Sequence, residues 1–203
     1  KIGYNMTYEI HCASDYGVPQ NRIRVIFIGS LNINVYPKFK CEKIFFDSEN
    51  INLFGIKNRK KITVREVISD IEKIENTENG HKFKKMNFSN TKIWEELKQG
   101  KKSGDLSIDF FKMVSRKHFC QITKLHPNKP SSTILKNALC MHYSECRWIT
   151  GREAARLCSF PDWFWIFKNK ENELAGNAIP PLMAKAIMEP YVMYLWNKKN
   201  KQK

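Results

Sequence analysis

The feature that most constrains this chain is a Gly- and Pro-containing turn that ends in two arginines and leads at once into an apolar run. The arginines are Arg22 and Arg24, and the apolar run covers residues 25–29. This pattern predicts a buried strand over 23–28, covered on both faces. Side chains two positions apart on a strand share a face. Because adjacent guanidiniums repel each other, we expect an anionic or acceptor-rich group to lie against them.

The charge balance favours a polyanionic partner. The 203 residues contain 35 Lys and Arg against 20 Asp and Glu, a formal net charge of +15. DNA or RNA, bound through phosphates, is the simplest such partner; a general bias towards Lys, Asn and Ile is the alternative. No apolar run approaches the roughly 20 residues that span a bilayer, and no secretory signal is visible. We therefore expect a cytoplasmic protein of one medium domain or two small ones.

The cysteines indicate neither a metal site nor disulfides. None of the six forms a Cys-x-x-Cys pair. Cys140, His142 and Cys146 are close in sequence, but no second ligand cluster completes a zinc site with them. We expect no metal, and reduced thiols that are mostly buried. The six are Cys12, Cys41, Cys120, Cys140, Cys146 and Cys158.

Local patterns place most of the regular structure. Two capping boxes, Thr63-x-x-Glu66 and Thr150-x-x-Glu153, predict helices that run to about residue 76 and to residue 157. A proline at 181 predicts the start of the last helix, with a kink or an end at Pro190. The other predicted elements are strands over 8–13, 119–122 and 132–135, a turn over 15–21, a short helix over 93–97 closed by Gly100, and a helix stop at Pro161.

Residues 20–24 read Gln-Asn-Arg-Ile-Arg, which resembles motif VIII of the DNA (cytosine-5)-methyltransferases, a Gln-Asn-Arg-x-Arg signature. The resemblance implies that Arg24 contacts the O2 edge of a cytosine flipped out of the duplex. It also implies that Arg22 contacts a phosphate or holds the active-site carboxylate, and that Gln20 and Asn21 fix the loop, with Gln20 also in contact with the DNA.

Residues 147–162 resemble motif IX of the same family, with isoleucine at 149 and cysteine at 158 as departures. Arg152 and Arg156 lie one helical turn apart on one face. The resemblance implies a structural role for Arg152, Glu153 and Arg156, in which the arginines hydrogen-bond loop carbonyls and hold a recognition loop in place.

Residues 176–181 resemble motif X, Gly-Asn-(Ala/Ser)-Val-Pro-Pro, with isoleucine at 179. Glycine at 176 permits an unusual backbone angle. In the family this turn lines the S-adenosylmethionine pocket, which implies that Asn177 and Ala178 bind the cofactor. Upstream, residues 130–134 resemble the Pro-x-x-Thr-(Ile/Leu) element of the target-recognition region, in which the Thr133 hydroxyl contacts a DNA phosphate.

The motifs occur in family order over nearly the whole chain, and they imply a bacterial restriction-modification enzyme. The implied fold is α/β: the last β-hairpin and return helix of a Rossmann-like methyltransferase domain, plus a small mixed, irregular target-recognition domain. We expect the catalytic domain to end at 31, the recognition domain to cover 32–170, and the motif X segment to cover 171–203. Further candidate DNA contacts are the basic residues Lys57, Arg59, Lys60, Lys61, Lys101 and Lys102.

The amino-terminal catalytic motifs of the family are missing from these residues. No cysteine follows a proline, so the nucleophilic Pro-Cys-Gln motif is absent; Cys120-Gln121 and Glu49-Asn50 lie after motif VIII, in the wrong order. We expect double-stranded DNA and the missing amino-terminal half as partners, S-adenosylmethionine as cofactor, and no methyl transfer by this chain alone.

Two explanations stay open for the missing half: a fragment or truncated gene product, or a natural subunit whose partner completes the active site. The competing function is a non-catalytic DNA-recognition module. An RNA methyltransferase of the transfer-RNA type is a weaker rival, since the wording of motif VIII and the long variable region favour the bacterial DNA type.

Overall fold

The computed structural model describes residues 3–31, 43–47, 59–75, 79–115, 121–136, 140–166 and 171–200. The strands are β1 (Asn5–Cys12), β2 (Gln20–Asn21), β3 (Ile23–Ser30), β4 (Phe45–Phe46), β5 (Arg59–Lys60), β6 (Thr123–Lys124), β7 (Ser131–Ser132) and β8 (Cys140–Met141). The helices are α1 (Val64–Ile68), α2 (Phe88–Glu96), α3 (Ile108–Met113), α4 (Gly151–Leu157), α5 (Glu171–Asn177) and α6 (Pro181–Asn200). Short 3₁₀ helices cover Ala13–Tyr16 and Ser103–Asp105.

The predicted hairpin is confirmed and is longer than the pattern indicated. β1 and β3 pair antiparallel from Asn5 opposite Ser30 to Cys12 opposite Ile23. Between them, the 3₁₀ helix and Gly17, in the left-handed conformation at φ 81°, turn the chain. The other sheets of the described residues are two-residue parallel pairs, β2 with β7, β4 with β5 and β6 with β8.

One face of the hairpin is exposed, so the prediction of a strand covered on both faces is wrong. Met6, Tyr8 and Ile10 on β1 are 57–65% exposed, and Phe27 on β3 is 62% exposed. The opposite face packs Ile26 and other side chains against the start of α6. The apolar run is therefore buried against the core on one face of the hairpin only, and its other face is exposed.

Three apolar clusters form the core of the described residues. The largest brings α1, the second half of α4 and β8 together around Val64, Leu125 and Leu157. A second joins the turn after β1 to α6 through Val18 and Met183. The third lies under α2 and α3 around Ile93 and Phe111. The second cluster ties the motif X helix to the motif VIII turn, which is why these two segments lie together.

Both predicted capping boxes are present. Thr63 and Glu66 cap α1, and Thr150 and Glu153 cap α4, each with reciprocal side-chain and backbone hydrogen bonds. α1 ends at Ile68, earlier than predicted, and continues as turns.

Several predicted boundaries differ from the structure. The predicted stop at Pro161 is not needed, since α4 already ends at Leu157. α6 begins at Pro181 as predicted and runs through Pro190 to Asn200. Two helices, α3 and α5, were not predicted. The predicted strand over 119–122 lies partly outside the described residues, and the one at 132–135 is the two-residue β7.

Within the described ranges, no helix has both the length and the apolar character that a membrane crossing requires. The same residues contain no group of three or more His, Cys, Asp or Glu side chains arranged to hold a metal ion.

Candidate functional site

Gln20 lies in the interior of the protein, so the structure does not support its predicted contact with DNA. Its side chain is fully buried and its amide donates to the Leu157 carbonyl (3.4 Å) and to Cys158 Sγ (3.1 Å). Both acceptors lie at the end of α4, in the motif IX segment. Gln20 therefore joins motif VIII to motif IX, which agrees with the expected role in fixing the loop.

Arg22 is also turned inward. Its side chain is buried, and its guanidinium donates to the carbonyls of Ile134 (3.2 Å) and Gly176 (2.8 Å). Burial first, and the neighbouring Arg24 second, lower the pKa of this guanidinium. In the structure its acceptors are backbone carbonyls, not the phosphate or carboxylate that the resemblance implied. Arg22 thus links motif VIII to the segment after β7 and to motif X.

Arg24 remains accessible on the half-exposed face of β3. One guanidinium nitrogen donates to its own neighbour, the Ile23 carbonyl, at 2.7 Å. In the hairpin it lies opposite His11, whose imidazole bonds the Tyr16 hydroxyl. The two arginines are neighbours, as predicted, but only Arg22 is buried. Arg22 donates to acceptors inside the protein, whereas Arg24 keeps donors for a ligand.

Thr133 follows the same inward pattern as Arg22. Its hydroxyl donates to the Asn21 carbonyl at 2.8 Å, in place of the predicted phosphate contact. The neighbouring residues of β7 pair in parallel with β2, Gln20 opposite Ser131 and Asn21 opposite Ser132. The Pro-x-x-Thr element therefore contributes strand β7, which pairs with strand β2 of motif VIII.

The basic candidates for DNA contact have different surroundings. Lys61 is largely enclosed and pairs with Asp15 and Asp47, both at 3.2 Å, so the structure does not support it as a free phosphate ligand. Side-chain hydrogen bonds to these two carboxylates raise its pKa, although burial opposes them with the largest single effect. Four candidates are exposed, and Lys57 lies outside the described residues. The exposed ones are Arg59, Lys60, Lys101 and Lys102.

The arginines of α4 hold loops, as their spacing predicts. Arg152 is buried and donates to the carbonyls of Pro161 (3.2 Å) and Phe164 (2.6 Å) and to Asn79. Arg156 forms a two-bond pair with Asp162 (2.8 and 2.5 Å) and also bonds Asp70 (2.6 Å). This pairing lowers the pKa of the Asp162 carboxyl.

Arg147 completes a buried ion pair that the sequence pattern did not assign. Its guanidinium donates twice to the Glu153 carboxylate, at 2.8 and 2.7 Å, and once to the Glu72 carbonyl at 3.1 Å. Its planar group also stacks over Phe83, 4.4 Å from the ring centre. In the sequence, the six-residue spacing between Arg147 and Glu153 in motif IX was the feature from which this ion pair could have been predicted.

His142 lies beside this pair. Its Nδ1 accepts hydrogen bonds from the backbone of Ser144 (3.3 Å) and Glu145 (3.1 Å), so the ring is neutral with its hydrogen on Nε2. Burial first, and Arg147 second, lower the pKa of His142 to about 4. No sequence pattern marked this group, because the charged groups around it, Glu72, His81, Arg147 and Glu153, come together only in the folded chain.

The buried neutral His142 predicts acid sensitivity. In the unfolded chain its pKa is near 6.5, so between pH 6.5 and about 4 the unfolded state binds more protons than the folded state. As the pH is lowered through this window, we expect the free energy of unfolding to fall, and His142 alone contributes as much as about 3 kcal/mol to that fall. Urea unfolding measured from pH 7 to 4 tests this. His142→Asn, whose amide oxygen can replace Nδ1 as acceptor, should flatten the slope; an equally steep slope would contradict the assignment.

The motif X glycine has a different use from the one predicted. Gly176 lies inside α5 without a positive φ. A Cβ at this position would lie 2.3 Å from Lys136 N and 2.7 Å from the Leu135 carbonyl carbon. Glycine is therefore needed because the backbone of residues 135–136 passes against α5, and the unusual backbone angle that glycine permits is not used here.

Of the two candidate cofactor residues, Asn177 is the last residue of α5 and Ala178 follows it. Asn177 is exposed and Ala178 is half-buried, just before α6 begins. An exposed amide can donate and accept hydrogen bonds, and a small neighbour leaves room for a ligand. These properties fit one wall of a cofactor pocket.

The two buried cysteines among the described residues are unsuited to nucleophilic catalysis. Cys140 and Cys158 are buried, and burial raises the pKa of the Cys140 thiol to about 12 and also raises that of Cys158. Cys146 is exposed and Cys12 is half-buried, and neither follows a proline.

Comparison with known proteins gives a consistent result. The chain is 30% identical over 199 residues to the type II methyltransferase M1.HphI of Haemophilus parahaemolyticus, covering 93% of this chain and 48% of that protein. It is 29% identical over 198 residues to the type II methyltransferase M.BbvI of Brevibacillus brevis, covering 93% and 49%. The chain thus spans about half the length of the curated relatives it matches.

A solved structure and a family model extend this match. The structure of a protein described as a DNA modification methyltransferase encoded within a prophage (E. coli) superposes with a TM-score of 0.64 at 22% identity, covering 95% of this chain and 61% of that one. The fold is therefore that of an α/β methyltransferase. The family model "C-5 cytosine-specific DNA methylase" matches residues 1–192. This chain belongs to the C-5 cytosine-specific DNA methylase family.

Proposed function

We propose that this chain forms the DNA-recognition part and the last catalytic-domain elements of a DNA (cytosine-5)-methyltransferase of a restriction-modification system. The reaction is methyl transfer from S-adenosylmethionine to C5 of a cytosine flipped out of a specific duplex sequence. The observation that carries the proposal is the motif VIII segment. Its Gln20 and Arg22 bind motifs IX and X inside the protein, while Arg24 stays accessible.

The proposed roles follow from these positions. Arg24 holds the flipped cytosine at its O2 edge, where a guanidinium can donate to the base. Asn177 and Ala178 form part of the wall around the methyl donor, which supplies an electrophilic methyl group when bound. Arg152, Glu153 and Arg156 keep the recognition loops in place. Phosphates are bound by exposed basic side chains, namely Arg59, Lys60, Lys101 and Lys102.

The proposed division of the chain follows the contacts of Arg22. Residues 1–31 and 171–203 belong to the catalytic domain, and 32–170 to the recognition domain. Arg22 donates across this division in both directions, to Ile134 and to Gly176. Lys136 and Glu173 add an ion pair at 2.8 Å between the recognition region and α5.

The remaining catalytic groups come from an amino-terminal half, in the same polypeptide or as a separate subunit. The family's chemistry needs a cysteine thiolate that adds to C6 of the cytosine, and these 203 residues contain no Pro-Cys-Gln. The exposed apolar face of β1 and β3 supports this proposal, since a large apolar surface of this kind is normally covered.

Three measurements on the 203-residue chain test the function. We expect no transfer of tritium from labelled S-adenosylmethionine to DNA, together with strong binding of an apolar dye by the uncovered hairpin face. We also expect duplex DNA to bind with an affinity that falls steeply with salt. Turnover by this chain would contradict the need for another half, and a flat salt dependence would contradict DNA recognition.

A further inference from the structure

We propose that a cleft beside β2 and β7 binds one phosphate of the DNA backbone, an inference that rests on the proposed function. The cleft has a volume of about 200 Å³ and lies between the β2–β7 pair and the turn at Gly100. Its lining side chains include several hydrogen-bond donors, among them Asn21, His126, Lys129 and Ser132.

The strand register sets the first two donors side by side. Asn21 lies opposite Ser132 in the parallel pair, and paired residues of adjacent strands project to the same face. Gln20, one position earlier, projects to the other face and is buried there. The Thr133 hydroxyl donates to the Asn21 carbonyl at 2.8 Å, which fixes the backbone at this point.

His126 offers a third donor with a defined orientation. Its Nδ1 accepts a hydrogen bond from the Asn128 backbone N–H at 3.1 Å. In the neutral ring the hydrogen therefore lies on Nε2, where it can be donated to an anion.

Lys129 supplies the charge of the cleft. The other lysine that lines it, Lys124, is already used: its ammonium donates to the Trp94 carbonyl at 2.8 Å and lies 3.7 Å from the Trp94 ring centre. The Lys129 side chain is exposed, and its carbonyl accepts from Val64 N at 3.0 Å. Its side chain can therefore be changed without removing a backbone contact.

The electrostatics of the cleft favour an anion. None of its lining residues is acidic. The exposed Lys101 is held next to it, because Gly100 N donates to the Lys124 carbonyl (2.8 Å) and Lys124 N donates to the Lys101 carbonyl (3.1 Å). Ammonium, amide and hydroxyl groups are the donors that bind DNA phosphates and so set the position of a protein on the duplex. The chemistry therefore points to a phosphodiester oxygen, and to a role in positioning rather than in reading bases.

The test is a salt titration of duplex binding by fluorescence anisotropy. We expect Lys129→Gln to weaken binding by a similar factor on duplexes of any sequence, and to reduce the slope of log affinity against log salt by about one. Asn21→Ala should weaken binding with little change in slope, because it removes a neutral donor. Lys185→Gln, an exposed lysine of α6 away from the cleft, is the matched control and should leave the slope unchanged.

A methylphosphonate scan of the duplex gives a second readout that a folding defect would not reproduce. Neutralising one particular phosphate should weaken binding by the unchanged chain and have no further effect on Lys129→Gln. If every phosphate position weakens both proteins equally, or if Lys129→Gln keeps the full slope while duplex binding is intact, the cleft proposal is overturned and the proposed function stands. If the unchanged chain shows no salt-dependent duplex binding, both are overturned.

Discussion

Replacing Glu153 with alanine is expected to lower the free energy of unfolding by about 3–5 kcal/mol, because it leaves a buried arginine without its counter-charge. The Glu153 side chain is fully buried and accepts two hydrogen bonds from Arg147 and one from the Thr150 backbone N–H at 2.8 Å. The variant thus also loses half of the capping box of α4. Urea unfolding followed by tryptophan fluorescence measures the loss.

Two matched variants separate the causes of that loss. Glu153→Gln keeps an acceptor for Thr150 and removes only the charge, so we expect a smaller loss than for alanine. Glu96→Ala removes an exposed acid at the end of α2 and should change stability by less than about 0.5 kcal/mol. A Glu153→Ala protein as stable as the Glu96→Ala control would show that the ion pair contributes nothing.

Replacing Gly176 with alanine is expected to separate α5 from the backbone of residues 135–136. The new methyl group would meet backbone atoms of Leu135 and Lys136 at 2.3–2.8 Å, and backbone cannot rotate away as a side chain can. Overpacking of this kind costs roughly 1–3 kcal/mol. The displacement would also break the buried bond from Arg22 to the Gly176 carbonyl, which adds roughly 1.5–3 kcal/mol.

Hydrogen exchange and urea unfolding together test this prediction. We expect a lower urea midpoint and faster amide exchange in residues 131–136 and 171–177 than in the unchanged chain. Gly29→Ala is the control, because its nearest neighbour at 3.2 Å is the flexible and exposed side chain of Tyr4. Equal exchange in the two variants would mean that the close approach at Gly176 does not hold the segments together.

The local signals in the sequence were reliable where the structure they determine is also local. The capping boxes at Thr63 and Thr150 each involve four consecutive residues, and both are formed. The start of α6 at Pro181 and the β1–β3 hairpin likewise depend on neighbours in sequence. The lengths of α1 and β7 were overestimated, because tertiary contacts and not propensity decide where such short elements end.

Residue types in the motifs were correct as markers of the family but did not reveal which way each side chain turns. Gln20, Arg22 and Thr133 all carry donors suited to DNA, and each donates instead to acceptors 112–154 positions away in the chain. Lys61 likewise forms an ion pair with Asp15, which is distant in the chain. The acceptors that compete with DNA for these groups become neighbours only when the chain folds, so no pattern of spacing could identify them.

Residue types and their spacing were enough to establish the family, the order of the three motifs and the absence of a Pro-Cys-Gln nucleophile. Tertiary structure alone decided that Arg22 is a buried link while Arg24 stays accessible, although the two are identical in type and two positions apart. It also decided that Gly176 serves a close approach between segments. The physical reason is the same in both cases: burial and close contact are properties of pairs of distant segments, and they exist only once those segments pack.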